Sequence, residues 1–371
     1  MPGVLDLFLE LASIASPSGD ERAVTDRVAD ELRDLGLEVV EDDAGGRIGS
    51  NAGNLYARLD PTGEDGTPLF LCAHLDTVPP DASLEPVVDE GIVRNAGGTI
   101  LGADNKAAVA VMLEASRRLR DEGRRHAGVE LVFTQKEEVG LQGAAAFDHS
   151  RLAARVGYVY DQAAPIGEIV LGAPHGATLD VTFRGRSAHA GIVPEEGRSA
   201  IAAAARAIAD LRLGRLDEET TANVGVIEGG TARNIVPERC VLRAEARSHD
   251  ESKLAELVKE MNETLAFAAA LADCEVDVRL APSYHGYRFR RDDLPVRLAA
   301  DALSRVGYEP TYGLTGGGAD ANVFNRHGLR CVNLANGMAE IHTADEHIAV
   351  ADLEGMVEVT LALVDAARDA A

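Results

Sequence analysis

The spacing of hydrophobic positions changes several times along the chain, and each change marks an element. Residues 4–14 keep a helical period that Ser16-Pro17-Ser18-Gly19-Asp20 breaks. A second helix over 21–35 ends at Gly36, a residue suited to a left-handed cap. Residues 37–41 and 54–59 read as strands around a Gly/Asp-rich loop, and PTGEDGTP over 61–68 reads as a surface turn. The run that follows, LFLCAHLD over 69–76, is apolar without alternation and stops at His74, with Asp76 two residues on. A short continuous apolar run predicts a strand buried on both faces. In an open α/β sheet, ligands collect outside the carboxyl ends of the strands. His74 and Asp76 then share one side of a rim, where a carboxylate taking one ring N–H leaves the other nitrogen free for a metal. A strand-end histidine beside a solvated aspartate is the plainer alternative.

The pattern continues with an irregular segment over 77–100, rich in Pro and Gly, and a long helix over 106–121 opened by Leu101-Gly102-Ala103-Asp104-Asn105. A strand over 128–134 stops at Gln135-Lys136-Glu137-Glu138, a helix covers 141–147, and a strand over 155–160 stops at Asp161. Three further strand or loop ends therefore each deliver an acid. From about 176 the order becomes β-α-β-β-α-β, with strands at 177–184, 222–228, 240–247 and 274–281 and helices at 197–213 and 252–271. Such a unit folds as its own layer and reads as an insertion at 176–283 within a domain made of 1–175 and 284–371. A helix over 293–306, a buried strand over 330–334 and a closing helix over 350–367 complete the first domain.

Composition narrows the function classes. A chain of 371 residues with 46% hydrophobic and 26% charged residues is an ordinary globular protein of two domains. Its net charge of -25 excludes a basic groove for nucleic acid. Only four of the 36 basic residues are lysines, a balance that suits a protein kept soluble in concentrated salt. Cys72, Cys240, Cys274 and Cys331 are scattered and fit core packing better than a disulfide framework or thiolate metal site. No run nears the roughly 18 apolar residues of a membrane span, and the N-terminus reads as an amphipathic helix rather than a signal peptide. A cytoplasmic location is expected.

The rim residues are His74, Asp104, Glu137, Glu138, Asp161 and, in EIHTADEHI, His342. Two imidazoles with several carboxylates suit Zn²⁺, Co²⁺ or Mn²⁺. Two ions need about five ligands with one acid shared, which leaves one acid over as a general base. His126, His149, His175, His249, His285, His327 and His347 lack a matching acid pattern and read as surface or packing residues. There is no phosphate-loop pattern after Gly97-Gly98 and no G-x-S-x-G.

Taken together, AHLDTV, LGADNKAAVA, QKEEVGLQGA, YVYDQ, GRSAHAG, GGTARNIVPE, GGGADANVF and EIHT, in this order, resemble the M20 family of metallopeptidases and its peptidase T-like branch over essentially the whole chain. The resemblance implies a mixed-sheet, three-layer α/β catalytic domain of the zinc-peptidase type with an inserted ferredoxin-like α+β lid that often makes a homodimer. It implies His74 and Asp161 on one metal, Glu138 and His342 on the other, Asp104 bridging by way of a cis Asp104–Asn105 bond, Glu137 as general base and Asp76 orienting His74. It also implies an oxyanion role for His189 and substrate contacts from Asn234, Arg247, Gly317 and Gly318; Gly316, Gly317 and Gly318 give close backbone approach beside the site or merely a flexible loop. A loop histidine and a structural ion pair are the alternatives for His189 and Arg247. The expected activity is two-metal cleavage of short peptides, releasing the N-terminal residue of tripeptides. N-acyl amino acid deacylation, dipeptide cleavage by the same site and a non-catalytic peptide binder are the rivals.

Overall fold

A computed structural model describes residues 3–63 and 66–370. Glu64 and Asp65, in the turn expected at 61–68, lie outside them. Backbone contacts divide the chain into one unit of 1–172 with 288–371 and a second of 173–287, which runs a few residues past the expected insertion at both ends.

In the first unit, all six residues of strand Leu69–His74 are buried. Val129–Thr134 runs parallel on one side and Val156–Gln162 parallel on the other, with Arg330–Ala335 parallel beyond it. Leu55–Leu59 and Val39–Glu41 extend one edge antiparallel. Glu168–Ala173 pairs antiparallel with Arg330–Ala335 and carries Thr311–Leu314 parallel to itself. The four central strands are parallel, so their carboxyl ends share one rim of a mixed sheet. Gly157 makes the close packing there possible: a Cβ on it would collide with the Phe70 ring, which also meets Phe324 at 4.9 Å between ring centres.

Helices cover the sheet in two layers. Helix Ala103–Asp121 packs on Leu69–His74 and Val156–Gln162 and against helices Val4–Ala12 and Val350–Asp369. Helix Asp320–Arg326 packs on Leu69–His74, Val156–Gln162 and Arg330–Ala335, with Gln142–Ala146 beside it. Val4, Leu7, Phe8 and Leu11 form the buried stripe of the first helix, at helical spacing. Each such side chain contributes roughly 1.5–3 kcal/mol on burial.

Several elements went unread in the sequence. The segment after Asp76 is not irregular throughout, since Pro86–Asp89 and Ile92–Asn95 form a hairpin that His347–Ala349 joins. The Gly/Asp-rich loop holds a short helix, Ala44–Ile48. Strands Glu168–Ala173 and Thr311–Leu314 and helix Asp320–Arg326 are short, and neighbouring strands rather than their own periodicity define them.

In the second unit, strands run in the order Gly214–Arg215, Thr220–Gly229, Arg239–Ser248, His175–Arg184 and Glu275–Tyr284, all antiparallel. The four long strands have the order of a ferredoxin-like sheet. Leu179, Val181 and Phe183 alternate inward with Cys240, Leu242 and Ala244. Helices Ala200–Asp210 and Glu251–Leu271 close that core with Ala203, Ala204, Ala207, Met261 and Leu265. The four cysteines are free, three of them buried. Among the described residues, no helix is long and apolar enough to cross a membrane.

Candidate metal centre

Three of the parallel strands end in, or run directly into, the polar cluster. His74 closes its strand at 2% exposure, Asp161 lies near the end of Val156–Gln162, and Glu137 and Glu138 follow Val129–Thr134 in a tight turn. That turn passes through Lys136 at φ 51°, and His342 itself sits at φ 64°. Both are left-handed conformations that a non-glycine residue holds at a cost of about 1–3 kcal/mol, and such positions gather at functional sites. Asp104 is presented at the mouth of helix Ala103–Asp121, where its dihedrals and those of Asn105 are not helical and the bond between them is cis.

Asp104 stands between the two imidazoles. Its Oδ1 is 3.1 Å from His74 Nε2 and its Oδ2 is 3.2 Å from His342 Nε2. His342 Nε2 is also 3.0 Å from Glu138 Oε1, and His74 Nε2 is 3.8 Å from Asp161 Oδ1. Two donor sets result, His74 with Asp104 and Asp161, and Asp104 with Glu138 and His342. Glu137, buried, shares no direct contact with either imidazole in this arrangement but feels the charge of Asp161.

Electrostatics argue for cations here. Burial pushes the Asp161 carboxyl up to about 8, helped by the charge of Asp104. Burial and Asp161 push Glu137 well above the usual carboxylate range. Burial penalises the charged form of His74, yet its carboxylate partners Asp104, Asp161 and Asp76 raise it well above an ordinary imidazole. Hydrogen bonds to Asp104 and Glu138 push His342 up to about 10. Burial opposes ionisation of Asp104, and the two imidazoles outweigh it and hold its carboxyl low. So many acids at one rim need positive charge, and N/O donors of this kind fit borderline-hard divalent ions. Asn105, fully buried beside Asp104, has no protein hydrogen bond to either atom of its amide, and Asp320 Oδ1 is likewise unpartnered.

Asp76 meets His74 through two atoms. The backbone carbonyl of Asp76 is the nearer partner of His74 Nδ1, at 2.9 Å, against 3.4 Å for its carboxylate Oδ1. The carboxylate also accepts from the amides of Glu137 (2.9 Å) and Glu138 (3.2 Å) and from Ser18 Oγ (2.6 Å). It therefore fixes the turn that carries the two glutamates.

Some contributors were missed. Glu346 is buried and accepts from the amides of Leu101 (2.7 Å), Gly102 (2.8 Å) and Asp104 (3.0 Å), which sets the loop that presents Asp104. Asn333 clasps the backbone of Asp161 with both ends of its amide. Asp320 accepts from Thr134 Oγ1 at 2.5 Å beneath His74's strand. The last acid of EIHTADEHI and the asparagine inside RCVNLA were available signals. Replacing Glu346 by Ala strands three buried donors, at roughly 1–3 kcal/mol each. The expected result is a clear loss of thermal stability with metal affinity down about 10–100-fold, as for lost partners behind a ligand. Titration of the chelated variant would check it, and unchanged affinity would refute the role.

The remaining predicted residues lie elsewhere. Gly316, Gly317 and Gly318 precede helix Asp320–Arg326 in the first unit. His189, Asn234 and Arg247 belong to the second. There His189 bridges to Ile235, and Ala190 N donates to Asn234 O at 3.0 Å, so the GRSAHAG and GGTARNIVPE turns are joined. His189 Nδ1 accepts from Gly191 N at 3.2 Å. Arg247 pairs with Glu245 at 2.9 Å and lies 6.0 Å from the centre of the Tyr284 ring.

Comparison with known proteins bears on all of this. The Peptidase dimerisation domain of the M20 group matches residues 175–273, and Peptidase family M28 matches residues 54–168. The chain is 40% identical to aminopeptidase PepT of Bacillus cereus, with 98% of each chain covered and a TM-score of 0.89. It is 35% identical to a tripeptidase of Staphylococcus aureus, covering 99% of this chain and 98% of that one, at a TM-score of 0.93. It is also 39% identical to the uncharacterized protein YqjE of Bacillus subtilis over 98% of both chains. On full-length likeness at this level, and on the strand-end cluster of acids and imidazoles, the chain belongs to the M20 family of metallopeptidases, in its peptidase T-like branch.

Proposed function

We propose that this metallo-aminopeptidase removes the N-terminal residue of tripeptides with two divalent ions, most suitably Zn²⁺. His74 and Asp161 would hold one ion, Glu138 and His342 the other, with Asp104 shared. The observation that carries this reading is Asp104, each of whose oxygens faces a different imidazole at 3.1 and 3.2 Å. Bound ions would polarise the scissile carbonyl and acidify the attacking water. Glu137 takes that water's proton and passes it to the leaving amine. Asp76 holds the turn so that Glu137 and Glu138 keep their separate tasks.

His189 and Asn234 are proposed to face the developing oxyanion and the substrate backbone, and Arg247 a substrate carboxylate. Arg247 pairs with Gly176 at one end of strand His175–Arg184, whereas the His189 turn follows the other end. Eight residue steps of strand span roughly 27 Å, against about 10 Å for an extended tripeptide. If both residues hold one substrate, they come from two copies, which supports a homodimer made through the second unit.

The test is hydrolysis of free tripeptides beside dipeptides and N-acetyl amino acids, after chelation and return of Zn²⁺, Co²⁺ or Mn²⁺ in high salt. Metal-restored release of the first residue, confined to unblocked tripeptides, is the expected result. Restored activity only on acylated substrates would replace the substrate and keep the site. Full activity in the chelated protein would overturn the metal reading.

A further inference from the structure

The sequence left His175 and His285 as surface or packing residues, and the structure places them together. His175 opens strand His175–Arg184 and pairs with Ser248 across the sheet, three residues before Glu251. His285 follows strand Glu275–Tyr284, whose Tyr284 pairs with Gly176 on the other side of the same strand. The two imidazoles meet edge to face with ring centres 6.1 Å apart. One donor atom from each of His175, Glu251 and His285 lies within 4.8 Å of the others.

Two glycines make this approach possible. A Cβ on Gly286 would stand 2.6 Å from His175 Cδ2, and one on Gly176 would stand 2.9 Å from the Tyr284 ring. Any side chain at either position would push the two histidine-bearing segments apart. Glu251 is not used by its own helix end, because Asp250 takes the cap amides of Ser252 (2.8 Å) and Lys253 (3.1 Å). It is exposed.

We propose that His175, Glu251 and His285 form a further divalent-cation site within the second unit, none of whose residues belongs to the strand-end cluster. Two imidazoles and one carboxylate are a Zn²⁺, Ni²⁺ or Cu²⁺ donor set. Donors at about 2 Å from one ion stand no more than about 4 Å apart, so from a separation within 4.8 Å small side-chain adjustments close the set. Three protein ligands leave a fourth position for water. The ion ties the first strand of the unit, the last strand and the start of helix Glu251–Leu271, and so acts as a structural clip on residues that are far apart in the chain.

The experiment uses the full chain, stripped with chelator and dialysed to equilibrium against Zn²⁺ buffered at low micromolar free concentration. Ions per chain are counted by elemental analysis for wild type, His285→Gln and Glu251→Gln. The wild type is expected to hold one more ion per chain than His285→Gln, and Glu251→Gln to need about tenfold more free Zn²⁺ for the same count. Cu²⁺ loaded in place of Zn²⁺ should give a resonance spectrum with two coupled nitrogens that His285→Gln loses. Glu251→Gln alters an exposed side chain and keeps the test valid should the histidine variant fold poorly. Equal counts at equal Zn²⁺ for wild type and both variants would overturn the site.

Discussion

Glu137→Gln is expected to keep its metal and lose its turnover. The substitution is nearly isosteric and leaves His74, Asp104, Glu138, Asp161 and His342 untouched, so the two donor sets persist. What disappears is a group able to accept a proton. General-base removal costs about a hundred- to ten-thousandfold, and a thousandfold corresponds to roughly 4 kcal/mol of barrier. The backbone amide of residue 137 still donates to Asp76, so the turn itself should survive. Single-turnover rates measured beside metal content would separate the two effects. A variant with wild-type rate would remove Glu137 from the mechanism, and a variant that lost metal would make it a ligand.

Asp104→Ala should be the more destructive change. Asp104 belongs to both donor sets, so its loss takes one ligand from each. It also removes the partner that His74 and His342 share. We expect the ions held by the strand-end cluster to fall from two towards none and activity to fall below detection, without the selective retention expected for Glu137→Gln. Asp161→Ala, by contrast, touches only the His74 set, and its effect should be confined to one ion. Elemental analysis of the three variants side by side would check the order. Equal metal content in Asp104→Ala and wild type would refute the shared-ligand reading.

Much of the cluster was legible because strand ends are legible. An apolar run that stops at a histidine or an acid fixes where that side chain emerges; LFLCAH and VGYVYD stop this way, and VELVFT runs into Glu137 and Glu138 a few residues on. Motif order then joins six distant residues without any knowledge of their distances. What the sequence hid was the bonding behind them. Asp76 is two residues from His74 and invites a carboxylate–imidazole pair, yet the left-handed turn at Lys136 brings the amides of Glu137 and Glu138 onto that carboxylate. Glu346 is far from Asp104 in the chain, and only the closed loop shows that it gathers three amides there. His175 and His285 look isolated because antiparallel pairing of strand Glu275–Tyr284 with strand His175–Arg184, not spacing, makes them neighbours. Short elements such as Ala44–Ile48 depend on tertiary contacts in the same way.

The residues between the first two helices serve as wiring for the metal centre. Ser18 donates to Asp76, Ser16 Oγ donates to the carbonyl of Leu75, and Thr77 N returns a bond to the carbonyl of Ser16. Lys106, buried one turn into the helix that presents Asp104, spends its ammonium on the carbonyl of Ile14 at 2.5 Å. Burial pushes that lysine down to about 7. The linker thus stitches the His74 strand end to the Asp104 helix while supplying no ligand itself. A proteolytic nick or a cleavable tag placed before residue 19 would leave every ligand present in the chain and still slacken the frame that aims them.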